Sequence, residues 1–389
     1  MRKICVVTGY RSDYTKLKSA MEAIRAHPAL DLQIVVFGAH LLGDYGNSIN
    51  DIESDGYNIS YKCSTNIEGD NPLTMSKSIG LAIIELAAAF EQLTPDIVLM
   101  VGDRYEILAA ATTASIGNIP VAHIQGGEVS GTIDETIRHT VTKLSHVHFP
   151  STELSRKRIL LMGENPDHVF NVGCPAIDYI KKLQYFSRPE LKKLKGLSRL
   201  RIDLKKPYFI LIQHPVTTEF DQASEQMETT LNALQETGIQ TLLIYPNPDA
   251  GSASILREIR KHKRKYGKQT VIRNSYKNLP FESYLNLLRS SSCLIGNSSS
   301  GIREAHQFGV PAINIGTRQL NRERTSNIID VGCDKSLIKD AINRALKLER
   351  NFNKNSIYGD GTAGKRIAEI LSQINLDLII QKVLKSREC

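Results

Sequence analysis

The chain has 389 residues, 41% of them hydrophobic and 23% charged, with 26 Gly and 14 Pro; this globular composition excludes disorder, collagen-like repeats and low complexity. A formal net charge of +8 admits an acidic partner, but Trp is absent, aromatics are 6% and no nucleic-acid-binding motif accompanies the basic residues, so nucleic acid is not expected. The length exceeds one ordinary core and, at about 150 residues per domain, predicts two or three.

The opening residues MRKICVVTGYRSDY carry a short apolar run that passes into a charged loop, which reads as a first strand, Ile4–Thr8, rather than a signal peptide. Similar runs follow at Leu32–Phe37, Ile97–Val101, Val121–Ile124, Val147–Phe149 and Val169–Val172. They are aliphatic and do not alternate with polar residues, as in strands buried on both faces of a parallel sheet. Helical patterns separate them at Asp13–Ala26, Thr74–Leu93, Tyr105–Ile116, Asp134–Leu144 and Glu153–Met162. The longest apolar stretches, such as Gly80–Phe90, run to about ten residues, which is short for a bilayer, so no membrane is expected.

The second half repeats the rhythm. Strands are expected at Tyr208–Gln213, Thr241–Tyr245, Thr270–Ile272, Cys293–Ile295 and Ala312–Ile315, and helices at Glu219–Glu236, Ala253–Tyr266, Phe281–Arg289, Gly301–Phe308 and Lys335–Leu348. Two successive βα runs predict two doubly wound α/β domains, residues 1–182 and 183–361, with a last helix near Thr362–Ile374 and the segment 362–389 returning to the first. The basic runs Lys192–Lys206 and Arg257–Lys268 read as a solvated linker and the outer face of a helix. Cys5, Cys63, Cys174, Cys293, Cys333 and Cys389 form no C-x-x-C pair, which suits a reduced, cytoplasmic protein.

Ligands of such sheets gather beyond the carboxyl ends of the strands, and two facing domains place the site in the cleft between them. The polar residues collect there. Arg11 follows the first strand at a strand–Gly–helix turn suited to phosphate. Asp103 and Arg104 follow Ile97–Val101; His123 lies at the end of the next strand, and Gln125, Glu128 and Asp134 follow it in a glycine-rich stretch that allows a ligand close approach. His214 ends the first strand of the second half. Ser298 and Ser299 expose hydroxyls and amides at a helix start, an anion cradle, and Glu304 stands one turn inside, where a carboxylate takes a ribose diol. Neither G-x-x-x-x-G-K-[ST] nor G-x-S-x-G occurs, which argues against a P-loop enzyme or a serine hydrolase. His146 and His148 have no third His or Cys at ligand spacing, so no metal is expected.

The run GDRYE, then HIQGGEVSGTIDETIRH, QHPVTTE, GNSSSGIREA, GTRQ and YGDG resembles the hydrolysing UDP-N-acetylglucosamine 2-epimerases of sialic-acid pathways, over essentially the whole chain. The non-hydrolysing 2-epimerases, with G-T-R-P-E in the first turn and H-V-E-A-G in place of HIQGG, are less similar. The resemblance implies a GT-B fold of two Rossmann-like domains, a UDP-sugar substrate, UDP as product, no cofactor, and a homodimer or homotetramer. It implies conversion of UDP-N-acetylglucosamine and water to N-acetylmannosamine and UDP through a 2-acetamidoglucal. By the same resemblance Arg11, Arg104, His214, Ser298 and Ser299 hold the diphosphate or uridine, Glu304 the ribose, and Arg318 lies near the nucleotide. Asp103 and Asp134 match catalytic acids, while His40 and His123 match the lining of the sugar pocket. Gln125 stands where close relatives carry Glu, so a third proton carrier is replaced by a neutral amide. Arg257 and Arg260 keep the spacing of two arginines that bind CMP-sialic acid in animal relatives. The alternatives are the same chemistry on UDP-N,N′-diacetylbacillosamine, a UDP-sugar-binding protein with little turnover, and a GT-B glycosyltransferase.

Overall fold

The computed structural model describes residues 1–350, 357–376 and 379–385. Its first half runs β1 (Arg2–Thr8), α1 (Arg11–Ala26), β2 (Leu30–Val36), α2 (Ile49–Ser54), β3 (Tyr61–Lys62), α3 (Pro72–Leu93), β4 (Ile97–Val101), α4 (Tyr105–Ile116), β5 (Val121–Ile124), α5 (Ile133–Leu144), β6 (Val147–Phe149), α6 (Glu153–Leu161) and α7 (Pro175–Lys182). The second runs β7 (Phe209–Ile212), α8 (Ala223–Thr237), β8 (Thr241–Ile244), α9 (Ser252–Tyr266), β9 (Ile272–Tyr276), α10 (Phe281–Ser290), β10 (Cys293–Gly296), α11 (Glu304–Gln307), β11 (Ala312–Ile315), β12 (Ile328–Val331) and α12 (Lys335–Ala345), and α13 (Ala363–Gln373) closes it.

Both sheets are parallel and six-stranded, ordered β3-β2-β1-β4-β5-β6 and β12-β11-β10-β7-β8-β9. This is the doubly wound order expected, and its chain reversals fall between β1 and β4 and between β7 and β10. Because strand side chains point alternately to either face, Ile4 and Val6 enter one core with α1, while Cys5 and Val7 enter another with α3 and α4. In the second sheet Ile210 and Ile212 divide from Phe209 and Leu211 in the same way.

Several elements depart from expectation. Val169–Val172 makes only an isolated bridge from Val169 to His148, since the chain leaves the sheet edge for Gly173 and the Pro-initiated α7. The short strands β3 and β12 and the helices α2 and α7 went unread. The helix expected at Gly301–Phe308 is a 3₁₀ turn, Ser299–Gly301, followed by the four residues of α11. Likewise 3₁₀ geometry over Thr217–Gln222 precedes α8. Helix α3 spans 22 residues with a mean hydropathy of 1.5 over its most apolar part, enough by length and composition to cross a membrane. That corrects the reading of Gly80–Phe90 as a stretch of about ten residues too short for a bilayer. In the fold its Ala82, Leu86, Ala89 and Phe90 are buried on the Cys5–Val7 face of the first sheet.

Helix α7, the end of segment 1–182, straddles the two lobes. Its Ala176, Ile177 and Ile180 enter the second sheet's core, yet its Asp178 accepts from Ser19 Oγ at 3.1 Å and from the Ala363 and Gly364 amides at 3.1 and 2.7 Å. Helix α13 packs Ala363, Ile367, Ala368 and Leu371 into the first core beside α1. Of the segment expected at 362–389, residues 377–378 and 386–389 lie outside the described residues, with Cys389 among them; Cys5, Cys63, Cys174, Cys293 and Cys333 are free thiols.

Candidate active site

The loops after β1, β4, β7 and β10, the strands flanking the two reversals, face one another across a cleft. Its walls include Arg11, Lys16, Asp103, Arg104, Asp134, His214, Ser298, Ser299, Glu304, Arg318 and Arg322. One end is amphipathic. Ile212, Ile244, Leu279, Phe281 and Tyr284 form an apolar slot beside Asn247, Ser298–Ser300 and Glu304. Ser298 Oγ accepts from the Ser300 amide at 3.3 Å, and Ser300 Oγ pairs with the Tyr284 hydroxyl. Glu304 is 7% exposed, and its Oε2 has no hydrogen-bond partner among the described residues. A buried, unsatisfied carboxylate oxygen in a cleft wall is a place for a ligand donor.

His214 is held in a fixed tautomer. Its backbone amide donates to Asn297 Oδ1 at 2.7 Å, and Nδ1 accepts from the Asn247 amide at 3.0 Å. Burial, reinforced by Arg318 and Arg11, holds its pKa well below the usual imidazole value, so the ring is neutral with its proton on Nε2, a donor. Arg318 donates to the Asn297 carbonyl at 3.3 Å and stands 3.5 Å from Asp134 Oδ2. Arg11 donates to the Lys277 carbonyl at 2.8 Å and Asn278 Oδ1 at 3.1 Å, bridging the lobes.

The other end holds the acids. Thr132 caps α5 through the Asp134 amide at 3.1 Å, which fixes Asp134 in the first turn facing the cleft. Burial and then the neighbouring Asp103 charge raise the Asp134 pKa. Asp103 behaves oppositely. Burial alone would raise its pKa, but ion pairing to Arg138, with Lys16 and Arg322 nearby, holds it well below the carboxylate range. Two adjacent carboxyls pushed apart in this way divide the labour between a fixed negative charge and a proton carrier.

Four expected residues stand behind the wall instead of on it. His40 is fully buried between Thr8 Oγ1 and Ser48 Oγ, both at 2.8 Å, and burial lowers its pKa to about 3. His123 donates Nε2–H to the Gly102 carbonyl at 2.7 Å, and burial lowers its pKa to about 4. Gln125, 1% exposed at φ +67°, donates to Cys174 Sγ at 3.1 Å while its Oε1 lacks a partner. Glu128 is paired with Arg303 and, at 3.0 Å, with Arg322. The glycine-rich stretch also differs from expectation. A Cβ on Gly127, at φ +73°, would stand 2.2 Å from the Ser155 carbonyl oxygen, so this glycine admits helix α6 rather than a ligand. Arg104, although in the wall, spends its guanidinium on Glu106 at 2.9 Å and on Asp249, across the cleft, at 3.0 Å. It acts as a strut between the lobes. Arg257 and Arg260 lie exposed on α9, bonded to Ser254 and to the Leu256 carbonyl.

Lys16, Asp13, Arg138, Arg303 and Arg322 went unread. The signal for Lys16 was its place five residues after Arg11 on the same helix; Arg303 lies within the motif GNSSSGIREA and Arg322 just after GTRQ. His148 Nε2 meets Glu164 at 3.1 Å, and among the described residues no group of three His, Cys, Asp or Glu stands ready to hold a metal.

Two doubly wound sheets facing across a charged cleft define a GT-B-type α/β protein. A family model for UDP-N-acetylglucosamine 2-epimerase matches residues 22–372. The chain is 35% identical over 376 residues to the hydrolysing UDP-N,N′-diacetylbacillosamine 2-epimerase of Legionella pneumophila, covering 97% of each chain. It is 35% identical over 375 residues to the UDP-N-acetylglucosamine 2-epimerase of Neisseria meningitidis, covering 96% of this chain and 95% of that one. The structure of the Methanocaldococcus jannaschii UDP-GlcNAc 2-epimerase, in complex with UDP-GlcNAc and UDP, matches with a TM-score of 0.80 at 21% identity, over 95% of this chain and 99% of that one. The chain belongs to the UDP-N-acetylglucosamine 2-epimerase family.

Proposed function

We propose that the chain is a hydrolysing 2-epimerase that converts UDP-N-acetylglucosamine and water to N-acetylmannosamine and UDP. The Asp103–Asp134 pair carries this reading, a fixed anion beside a carboxyl of raised pKa in the cleft wall. The uracil enters the Ile212–Phe281 slot, Glu304 Oε2 accepts from the ribose diol, and the serine amides, the His214 Nε2–H and Arg11 receive the diphosphate. Donors aimed at a departing diphosphate stabilise the charge that develops as it leaves.

The C2 proton passes to a carboxylate and the C1–O bond breaks with its electron pair going to UDP, which leaves a C1=C2 double bond, the 2-acetamidoglucal. Water then adds its oxygen to C1 while C2 is reprotonated on the opposite face, giving the manno configuration. Asp134 moves protons in this scheme, since a raised pKa makes its carboxylate a stronger base than an ordinary aspartate. Asp103, held ionised by Arg138, orients the cationic cluster around the leaving group. Gln125 keeps the shape of a carboxyl without its proton chemistry. A second reading, the same reaction on UDP-N,N′-diacetylbacillosamine, draws support from the Legionella relative. Product identification from a panel of UDP-sugars tests both. UDP-N-acetylglucosamine should give N-acetylmannosamine and UDP; release of neither from any UDP-sugar, with UDP binding intact, would leave a binding protein.

A further inference from the structure

Helix α9 begins without a cap of its own. Its N-cap residue is Gly251, at φ +91°, where a Cβ would stand 2.9 Å from the Phe220 carbonyl oxygen. No side chain fits at the position that Ser, Thr, Asn or Asp fills in most helices. The capping carboxylate comes from the opposite lobe. Asp70, in the loop between β3 and α3, accepts through Oδ1 from the Gly251 amide at 3.0 Å, the Ala253 amide at 3.3 Å and Ser252 Oγ at 3.4 Å. Tyr45, also of the first lobe, places its hydroxyl 3.1 Å from Ser252 Oγ.

The segment leading into α9 belongs to the cleft. Asn247 lines it and donates its amide to His214 Nδ1, and Asp249 takes the Arg104 guanidinium from the other side. One stretch of the second lobe thus shapes the nucleotide end and is gripped from the first lobe at two places, by Arg104 and by Asp70.

The geometry points to Asp70 as a positioning residue that holds the cleft shut by capping α9 across the lobes. The inference rests on the reading of the chain as a hydrolysing 2-epimerase. In that reaction the glycal is bound to nothing covalently once the C1–O bond has broken. It must stay in the cleft until water adds, and an open cleft loses it. Without the Asp70 cap, more turnovers end in free 2-acetamidoglucal plus UDP and fewer in N-acetylmannosamine plus UDP. The ratio of glycal to UDP is independent of how much enzyme is folded, so it separates closure from stability.

The experiment compares the full-length wild type with Asp70→Ala and Asp70→Asn, following both sugars by NMR during turnover of UDP-N-acetylglucosamine, and measures the radius of gyration by small-angle scattering with UDP bound. Asp70→Ala should raise the glycal-to-UDP ratio about fivefold, the factor that loss of one cap corresponds to, and leave the UDP complex more open. Asp70→Asn, whose amide oxygen accepts the same bonds, should restore both. A wild-type ratio and radius in Asp70→Ala, or an Asn variant as leaky as the Ala variant, would overturn the inference. If the wild type released no sugar from any UDP-sugar, the functional reading would fall, while the scattering comparison would still decide the role of Asp70.

Discussion

Asp13 is buried at 1% exposure in the first turn of α1, and its Oδ2 has no partner among the described residues. Burial pushes its pKa up to about 7, from an ordinary value of 3.8, with Arg104 and Lys16 offsetting part of the rise. Between these two values the folded chain holds a proton that the unfolded chain has lost. Stability therefore falls as pH rises from 3.8 to about 7, and the full penalty is present above that. Three pKa units at about 1.4 kcal/mol each set an upper bound of about 4 kcal/mol. Asp13→Asn cannot ionise and so lacks this slope. Urea unfolding followed by circular dichroism, since the chain has no Trp, should show the variant gaining on the wild type by up to about 4 kcal/mol between pH 4 and pH 8. Groups remote from Asp13 titrate alike in both proteins and cancel in the difference. An identical wild-type-to-variant difference at both pH values would mean that Asp13 ionises normally and that its burial is compensated.

Three further substitutions probe the cleft wall and the position behind it. UDP at a hundredfold excess over Kd should stabilise the wild type by about 2.7 kcal/mol, and Glu304→Ala should lose much of that thermal shift with its apo Tm nearly unchanged; an undiminished shift would place the ribose elsewhere. Asp134→Asn should lower kcat by about 10²- to 10⁴-fold with UDP affinity retained in calorimetry, and a kcat within twofold or so of wild type would remove Asp134 from the proton transfers. Gln125→Glu should raise kcat by about tenfold or more as a general acid or base is regained, and should lower Tm because the new carboxylate is buried beside Cys174. Equal or lower turnover would make the amide the working group.

The sheets were legible because their strands are buried on both faces, so Ile4–Thr8 or Ile97–Val101 reads as an unbroken apolar run. Their order put Arg11, Asp103, His214 and Ser298 at neighbouring strand ends, and that adjacency is what the cleft consists of. Less was legible where a residue type serves either environment. His40, His123 and Glu128 look like cleft residues in sequence, yet local partners absorb them behind the wall. Arg303 and Arg322 look like surface charge, yet both are buried by pairing with Glu128. The 3₁₀ break between Ser299 and Glu304 replaces a helix that Gly301–Phe308 suggested, and β12 is an edge strand of four residues, too short to show a pattern.

Helix α13 has a consequence for the order in which the chain matures. The strands of the first sheet are made before those of the second, yet Ile367, Ala368 and Leu371 of α13 help cover the hydrophobic face around α1. Everything the second sheet's two cores contain before α13, from Cys174 to Tyr358, is translated earlier. The first lobe thus acquires α13 after the second sheet has been made, and on the ribosome this part of its face stays open, or is shielded by a chaperone, until the second lobe has emerged.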